Sequence, residues 1–235
     1  METIVTTSLV DEIAFRLEKM ILDGTYPPGM RLQQDELCER FGVSRTPIRE
    51  TLRKLQAQHL VIIVPNKGAT VRIPDRQELH EIYVVRAELE GLATSEAAER
   101  FTGELLGELD QAQSMIEAQL PMLVEGSLVL ESEAIVNAQL TKGNEAFHGV
   151  VHDAAGNKRL KEIIVEMQSY FPKDYVWRAQ RSSAEIRSLN VDEHRKIRDA
   201  LEAGNPEEAR RAMRDHILHS GNVLFAYLDE HGLWK

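Results

Sequence analysis

Cysteine is nearly absent from this 235-residue chain. Cys38 stands alone, which excludes an internal disulfide and fits a reducing cytoplasm. No uninterrupted apolar run approaches the roughly 18 residues needed to cross a bilayer, so no membrane partner is expected. Met1-Glu2-Thr3-Ile4-Val5 lacks a basic stretch followed by an apolar one, so no secretion signal is expected either. Aromatic residues reach only 6%, while Leu, Ala, Glu and Arg dominate, which points to a mainly α-helical protein. Apolar material is not lacking. At 43% apolar and 28% charged, the chain can bury a core, which excludes wholesale disorder, and its length suits two domains or one large one.

Basic charge is in short supply overall, with a net charge of −10, and taken whole this argues against nucleic acid as a partner. The deficit is unevenly spread. Residues 1–73 carry a net +1 and residues 74–235 a net −11. Residues 40–72 hold Arg40, Arg45, Arg49, Arg53, Lys54, Lys67 and Arg72 against Glu50 alone. A local net of +6 inside an acidic protein calls for a reason.

Val10, Ile13, Ala14, Leu17, Met20 and Ile21 recur at helical spacing, which predicts a first helix over 8–22, stopped by Gly24 and Pro27-Pro28-Gly29. A short second helix is predicted over 34–41, with Leu37 and Phe41 facing inward and Gly42 breaking it. Ser44 stands at the N-cap of a third, 45–58, with Pro47 tolerable in its first turn and Ile48, Leu52 and Leu55 on its apolar side. Two β-rich runs, 61–64 and 69–73, flank Pro65-Asn66-Lys67-Gly68, a sequence suited to a tight hairpin. Three helices and a hairpin make a winged helix-turn-helix, whose third helix enters the major groove of double-stranded DNA. Arg45 and Arg49 share a face with Thr46 adjacent, and Arg reaches guanine O6 and N7 with two hydrogen bonds. Lys67 and Gly68 at the hairpin tip suit the minor groove or the phosphates. The plain alternative is a solvated face of arginines.

The run from Phe41 to Leu55, FGVSRTPIRETLRKL, strongly resembles the DNA-reading helix of GntR-family bacterial transcription regulators. Residues 21–32 resemble that family's first turn and residues 64–71 its wing, so the likeness covers 10–73 almost without a gap. It implies that Arg45, Thr46 and Arg49, with Ser44, Arg53, Lys67 and Gly68 around them, meet operator DNA. One residue departs from the pattern. His59 stands where the family has Gly, at a helix end where a left-handed conformation costs more with a side chain.

Pro74 ends the hairpin, and Asp75 followed by Glu78 resembles a capping box that opens the next helix. Two domains joined by a very short linker are therefore expected, 1–74 and 75–235. Coarse helices are predicted over 76–100, 102–120, 128–155, 158–180, 183–203 and 206–230, an all-helical bundle of six or seven helices. Within its apolar stripes lie polar residues. Asn144 and His148 fall among Leu140, Phe147, Val151 and Ala155. His194 falls among Ile186, Ile197 and Leu201. His216 and Ser220 fall among Ala209, Met213, Val223, Leu224 and Tyr227. A lone inward histidine is most often a hydrogen-bonded core residue. Three from different helices are harder to dismiss, because neutral imidazoles on facing helices are how bundle metal sites are built. Asn144, one turn before His148, offers an amide oxygen to complete the set. A divalent ion is expected, Zn²⁺ first, with Ni²⁺, Mn²⁺ or another as alternatives. His152 has no assigned role.

The same residues strengthen the likeness. Phe147-His148 preceded by Asn144, the later His194 and His216, and Ala154-Ala155-Gly156-Asn157 resemble the FCD effector domain of the FadR-like branch of that family. The resemblance implies a divalent metal with a small organic acid beside it, and a homodimer on a palindromic operator. Asn144 replaces the more usual Asp, and a neutral amide is a weaker ligand than a carboxylate.

Arg86 and Glu90 lie on or beside the apolar stripe of the first bundle helix, and a buried charge needs a partner. The plain reading is an i, i+4 salt bridge. The sharper one has Arg86 grip an effector carboxylate while Glu90 orients it, with Tyr83 and Ser220 in the same cavity. Two rivals to a metabolite-responsive regulator stay open: a metal sensor, and a metal-dependent hydrolase carrying a DNA-binding domain. The hydrolase needs a general base, and Glu90 is the one spare inward carboxylate in view. His148-x-x-x-His152 has Gly149 where a zinc protease needs Glu. Ser182-Ser183 have no acid-base partners in view, and His80, His219 and His231 read as surface residues.

Overall fold

A computed structural model describes residues 9–22, 24–64, 68–72, 75–123, 130–170, 174–181 and 184–234. The chain splits into two compact units, Met1–Pro74 with Ser169–Pro172, and Asp75–Gln168 with Lys173–Lys235.

In the first unit α1 (Leu9–Leu22), β1 (Arg31–Leu32), α2 (Gln34–Phe41), α3 (Arg45–Ala57), β2 (Val61–Val64) and β3 (Gly68–Val71) follow in order. Apolar residues at helical spacing put Ile13, Leu17, Ile21, Leu37, Ile48, Leu52 and Leu55 into one core, closed by Leu60 and, from the sheet, by Val61, Ala69 and Val71. Each such side chain contributes about 1.5–3 kcal/mol by leaving water. The sheet is antiparallel in the order β1-β3-β2, with Val61 opposite Val71, Val64 opposite Gly68 and Arg31 opposite Thr70. The two-residue β1 is absent from the sequence reading, because two residues carry no alternation. The hairpin tip that holds Lys67 lies outside the described residues.

Helix α3 ends as the sequence foretold. His59 has φ 61°, the one positive φ outside glycine among the described residues. Leu60 N–H donates to Leu55 O at 3.0 Å and His59 N–H to Gln56 O at 3.1 Å, which is a Schellman closure with histidine in the glycine position. Ser44 occupies the N-cap with extended backbone, but its hydroxyl makes no capping bond.

The second unit is helical: α4 (Arg76–Ala98), α5 (Gly103–Glu117), a single 3₁₀ turn (Leu120–Leu123), α6 (Leu130–Ala155), α7 (Lys158–Gln168), α8 (Asp174–Arg181), α9 (Ala184–Glu202) and α10 (Pro206–Glu230). Asp75 accepts from Glu78 N–H at 2.7 Å, the cap its spacing implied. Gly156 and Gly204 adopt left-handed φ at the breaks before α7 and α10. One expectation is corrected. The helix predicted over 158–180 is two, α7 and α8. The interval between them contains Pro172, which offers no N–H and disfavours helix in the residue before it.

Helix α4 packs against α6, α7, α9 and α10. At Gly221 of α10 a Cβ would sit 2.6 Å from the Tyr83 ring, so glycine there leaves room for that ring between the two helices. Leu79, Ile82, Ala87, Ala93, Phe147, Val151, Ile197, Met213, Ile217 and Leu224 are buried around this centre. Val223 and Tyr227, expected on the inner stripe, are half-buried, and Phe225 and Leu228 are buried instead. The side chain of Ile186 lies outside the described residues.

Candidate functional site

On the first unit, Ser44, Arg45, Thr46, Arg49 and Arg53 are all exposed along α3, opposite the buried Ile48, Leu52 and Leu55. Arg45 makes two bonds to Asp35 of α2, at 2.8 and 3.0 Å, and Arg49 Nε donates to Gln34 Oε1 at 3.1 Å. These partners stand in water, so the bonds are weak, and phosphates or base edges can replace them. Gly68, with φ 93°, adopts a backbone open to glycine at the start of β3.

In the second unit the three histidines meet. Ring centroids of His148 (α6), His194 (α9) and His216 (α10) lie 5.6, 5.4 and 4.8 Å apart pairwise. One ligand nitrogen from each lies within 4.8 Å of the others, and all three side chains are buried. His194 stacks flat on Phe147 at 4.1 Å. His216 donates Nδ1–H to Glu193 at 2.9 Å, and His194 donates Nδ1–H to Gln113 at 3.0 Å. That leaves Nε2 carrying the lone pair in both rings, and Nε2 of His194 is buried without a partner. His148 has Nδ1 3.1 Å from Glu90 Oε2, close in distance but not aligned as a hydrogen bond. Burial pushes His148 down to about 4, against the pull of Glu90, and burial with the neighbouring rings holds His194 well below its ordinary value. Neutral imidazoles with an orphaned nitrogen fit a divalent ion. Asn144 is half-buried one turn before His148.

Beside this cluster Arg86 donates Nε and Nη2 to Glu90 Oε1 at 3.1 and 2.8 Å, so the plain salt bridge is present. The Arg86 guanidinium lies 4.9 Å over the Tyr83 ring, and Ser220 lies near enough to the Tyr83 hydroxyl to influence its ionisation. The four effector candidates therefore adjoin one another. Glu90 is fully buried. Burial raises its carboxyl, but Arg86 and the two nearby histidines outweigh this and hold it well below the carboxylate range. Gln168 adds a bond at 3.3 Å, and His152 Nε2 lies 3.5 Å away, so His152 belongs to this carboxylate's surroundings.

Sequence reasoning missed three residues. Glu193 is a second inward carboxylate, which corrects the view that Glu90 was the one in reach. Glu193 also holds His219, which is half-buried and not at the surface as expected. Gln113 gave no sign at all, since its stripe position became meaningful only when α9 packed beside α5. Ser182 and Ser183 lie outside the described residues.

Residues 81–219 match the FCD domain, and residues 9–71 match the family described as bacterial regulatory proteins, gntR family. The chain belongs to the GntR family and carries an FCD domain. This GntR regulator is 29% identical to the HTH-type transcriptional regulator YdhC of Bacillus subtilis (strain 168) over 220 residues, 92% of this chain and 90% of that one. It is 26% identical to the HTH-type transcriptional repressor GlaR of Escherichia coli (strain K12) over 206 residues, 86% of this chain and 89% of that one. The solved structure of E. coli McbR/YncC shares the fold, with TM-score 0.74 at 24% identity over 94% of this chain and 99% of that one. The chain is thus a DNA-binding transcriptional regulator with an FCD effector domain, and the family and relatives are regulators rather than enzymes. No helix among the described residues is long and apolar enough to cross a membrane.

Proposed function

We propose that this regulator is a metabolite-responsive repressor that binds a palindromic operator as a homodimer in the cytoplasm. The boundary between its reading domain, 1–74, and its effector domain, 75–235, falls at Pro74-Asp75. Ser44, Arg45, Thr46, Arg49 and Arg53 of α3 approach the major groove, and Lys67 and Gly68 approach from the wing. His148, His194 and His216, with the Asn144 amide, hold a divalent ion, Zn²⁺ foremost. When bound, that ion supplies a Lewis-acidic contact for an anionic oxygen. Arg86 supplies the complementary guanidinium for a small organic acid, with Tyr83 and Ser220 lining the space and Glu90 holding Arg86 in place. The observation that carries this reading is the buried, partnerless His194 Nε2 in a group of three converging imidazoles. Repression accords with the name of the relative GlaR.

The acid acts through a difference in affinity. It shifts operator binding only if it prefers one arrangement of the dimer's two reading heads. A second reading is favoured by the Arg86–Glu90 pair, since that guanidinium already has a carboxylate: the ion itself is then the signal.

The test uses full-length protein and an operator selected from random duplexes. Operator affinity is measured with Zn²⁺ and a panel of mono-, di- and tricarboxylic acids, separately and together. Release that needs both an acid and Zn²⁺ supports the proposal. Release by Zn²⁺ alone supports the sensor reading. Wild-type metal content in His194→Ala, read by mass spectrometry, overturns the histidine assignment.

A further inference from the structure

His194 stands at the end of a hydrogen-bonded chain that begins at the protein surface. Its Nδ1–H donates to Gln113 Oε1 at 3.0 Å. Gln113 donates its own Nε2–H to Glu117 Oε1 at 3.3 Å, one turn further along α5. Arg195 of α9 donates to the same Glu117 oxygen at 2.8 Å. We propose that Glu117 and Gln113 are positioning residues that decide which nitrogen of the buried His194 ring carries the lone pair. The inference rests on the metal reading above only for its consequence, not for its geometry.

A glutamine side chain presents an oxygen or an NH₂ group in nearly the same shape, so by itself Gln113 can accept from His194 or donate to it. If it donated, Nδ1 would have to be the lone-pair nitrogen and the proton would move to Nε2. Nε2 could then no longer bind an ion. The Phe147 ring does not settle the matter, because a flat stack is the same whichever nitrogen of the imidazole carries the proton. Glu117 does settle it. An ionised carboxylate only accepts, so the NH₂ of Gln113 must point toward Glu117 and its oxygen toward His194. Arg195 holds that carboxylate in place.

His216 needs no such chain. Its partner, Glu193, is itself a carboxylate, and a single group fixes the tautomer. His194 has a neutral partner, so its tautomer depends on a residue two bonds removed. Gln113, Glu117, Phe147, His194, Arg195 and Arg198 line a cleft of about 390 Å³ that is open to solvent. Glu117 is 38% exposed, so changing it leaves no buried charge behind.

The first measurement uses metal-free, full-length protein labelled with ¹⁵N, where long-range ¹H–¹⁵N correlation reports the tautomer of each histidine. Wild type is expected to show His194 protonated on Nδ1. Glu117→Ala is expected to show a mixture, with His216 unchanged. The second measurement is Zn²⁺ affinity by competition with a chromophoric chelator. Gln113→Leu is expected to bind about 10- to 100-fold more weakly. Glu117→Ala is expected to bind severalfold more weakly, and adding Gln113→Glu to it restores wild-type affinity, since a carboxylate at 113 accepts without help. Nδ1 protonation that persists unmixed in Glu117→Ala overturns the inference, as does His194 protonated on Nε2 in wild type. Failure of wild type to bind Zn²⁺ overturns the metal reading instead, and leaves the tautomer result standing.

Discussion

The two units of this regulator handle polar function in opposite ways. On α3 the working groups face water, and the apolar residues behind them form an ordinary core. In the bundle the working groups are themselves in the core: Glu90, His148, His152, His194 and His216 are all buried. The difference follows from what each site is proposed to meet. A polyanion arrives from outside and needs mobile, solvated cations. A small ion or acid is better held where water is excluded, and there each polar atom needs a stated partner. The reading face can therefore change residue by residue with little cost to the fold, whereas the bundle site changes as a network.

The sharpest way to break that comparison is Glu90→Ala. It leaves the Arg86 guanidinium in the interior without its carboxylate and should destabilise the protein by about 3–5 kcal/mol in chemical denaturation. A loss below about 1 kcal/mol would mean that the bundle tolerates change as the surface does. Arg49→Ala tests the other side. Operator binding should weaken by about 1–3 kcal/mol in a titration at fixed salt. Unfolding stability should stay within about 0.5 kcal/mol of wild type. Unchanged operator affinity would remove Arg49 from the reading set. The smallest effect sharpens the local picture at the end of α3. His59→Gly should be more stable than His59→Ala by about 1 kcal/mol, because both lose the ring and only glycine accepts φ 61° without strain. Equal melting temperatures for the two variants would show that the Schellman closure carries no strain.

Much of this was legible because it is periodic or local. The spacing of Ile48, Leu52 and Leu55 gave the buried face of α3, and thereby the exposed face with Arg45 and Arg49. Asp75 and Glu78 announced the cap of α4, and His59 announced its own strained backbone. The inward direction of His148, His194 and His216 also came from periodicity, since each lies in an apolar stripe. The reading failed where it needed to know which helix lies beside which. Gln113 is 81 residues from His194, and Glu193 is 23 from His216, so neither pairing is visible in a local pattern. The i, i+4 bridge of Arg86 to Glu90 was legible, but nothing before folding showed that Gln168, His148 and His152 would join it around the same carboxylate.

The sequence by itself determined most of the elements and most of their inward faces, the family and the chemical type of each working side chain. These depend on spacing of 3.6 or 2 residues and on local backbone preferences, and both are written along the chain. Tertiary structure alone decided which groups touch. The partner of each imidazole, and hence the nitrogen left to bind, is set by packing between helices distant in sequence, where a shift of one turn brings a different side chain into reach.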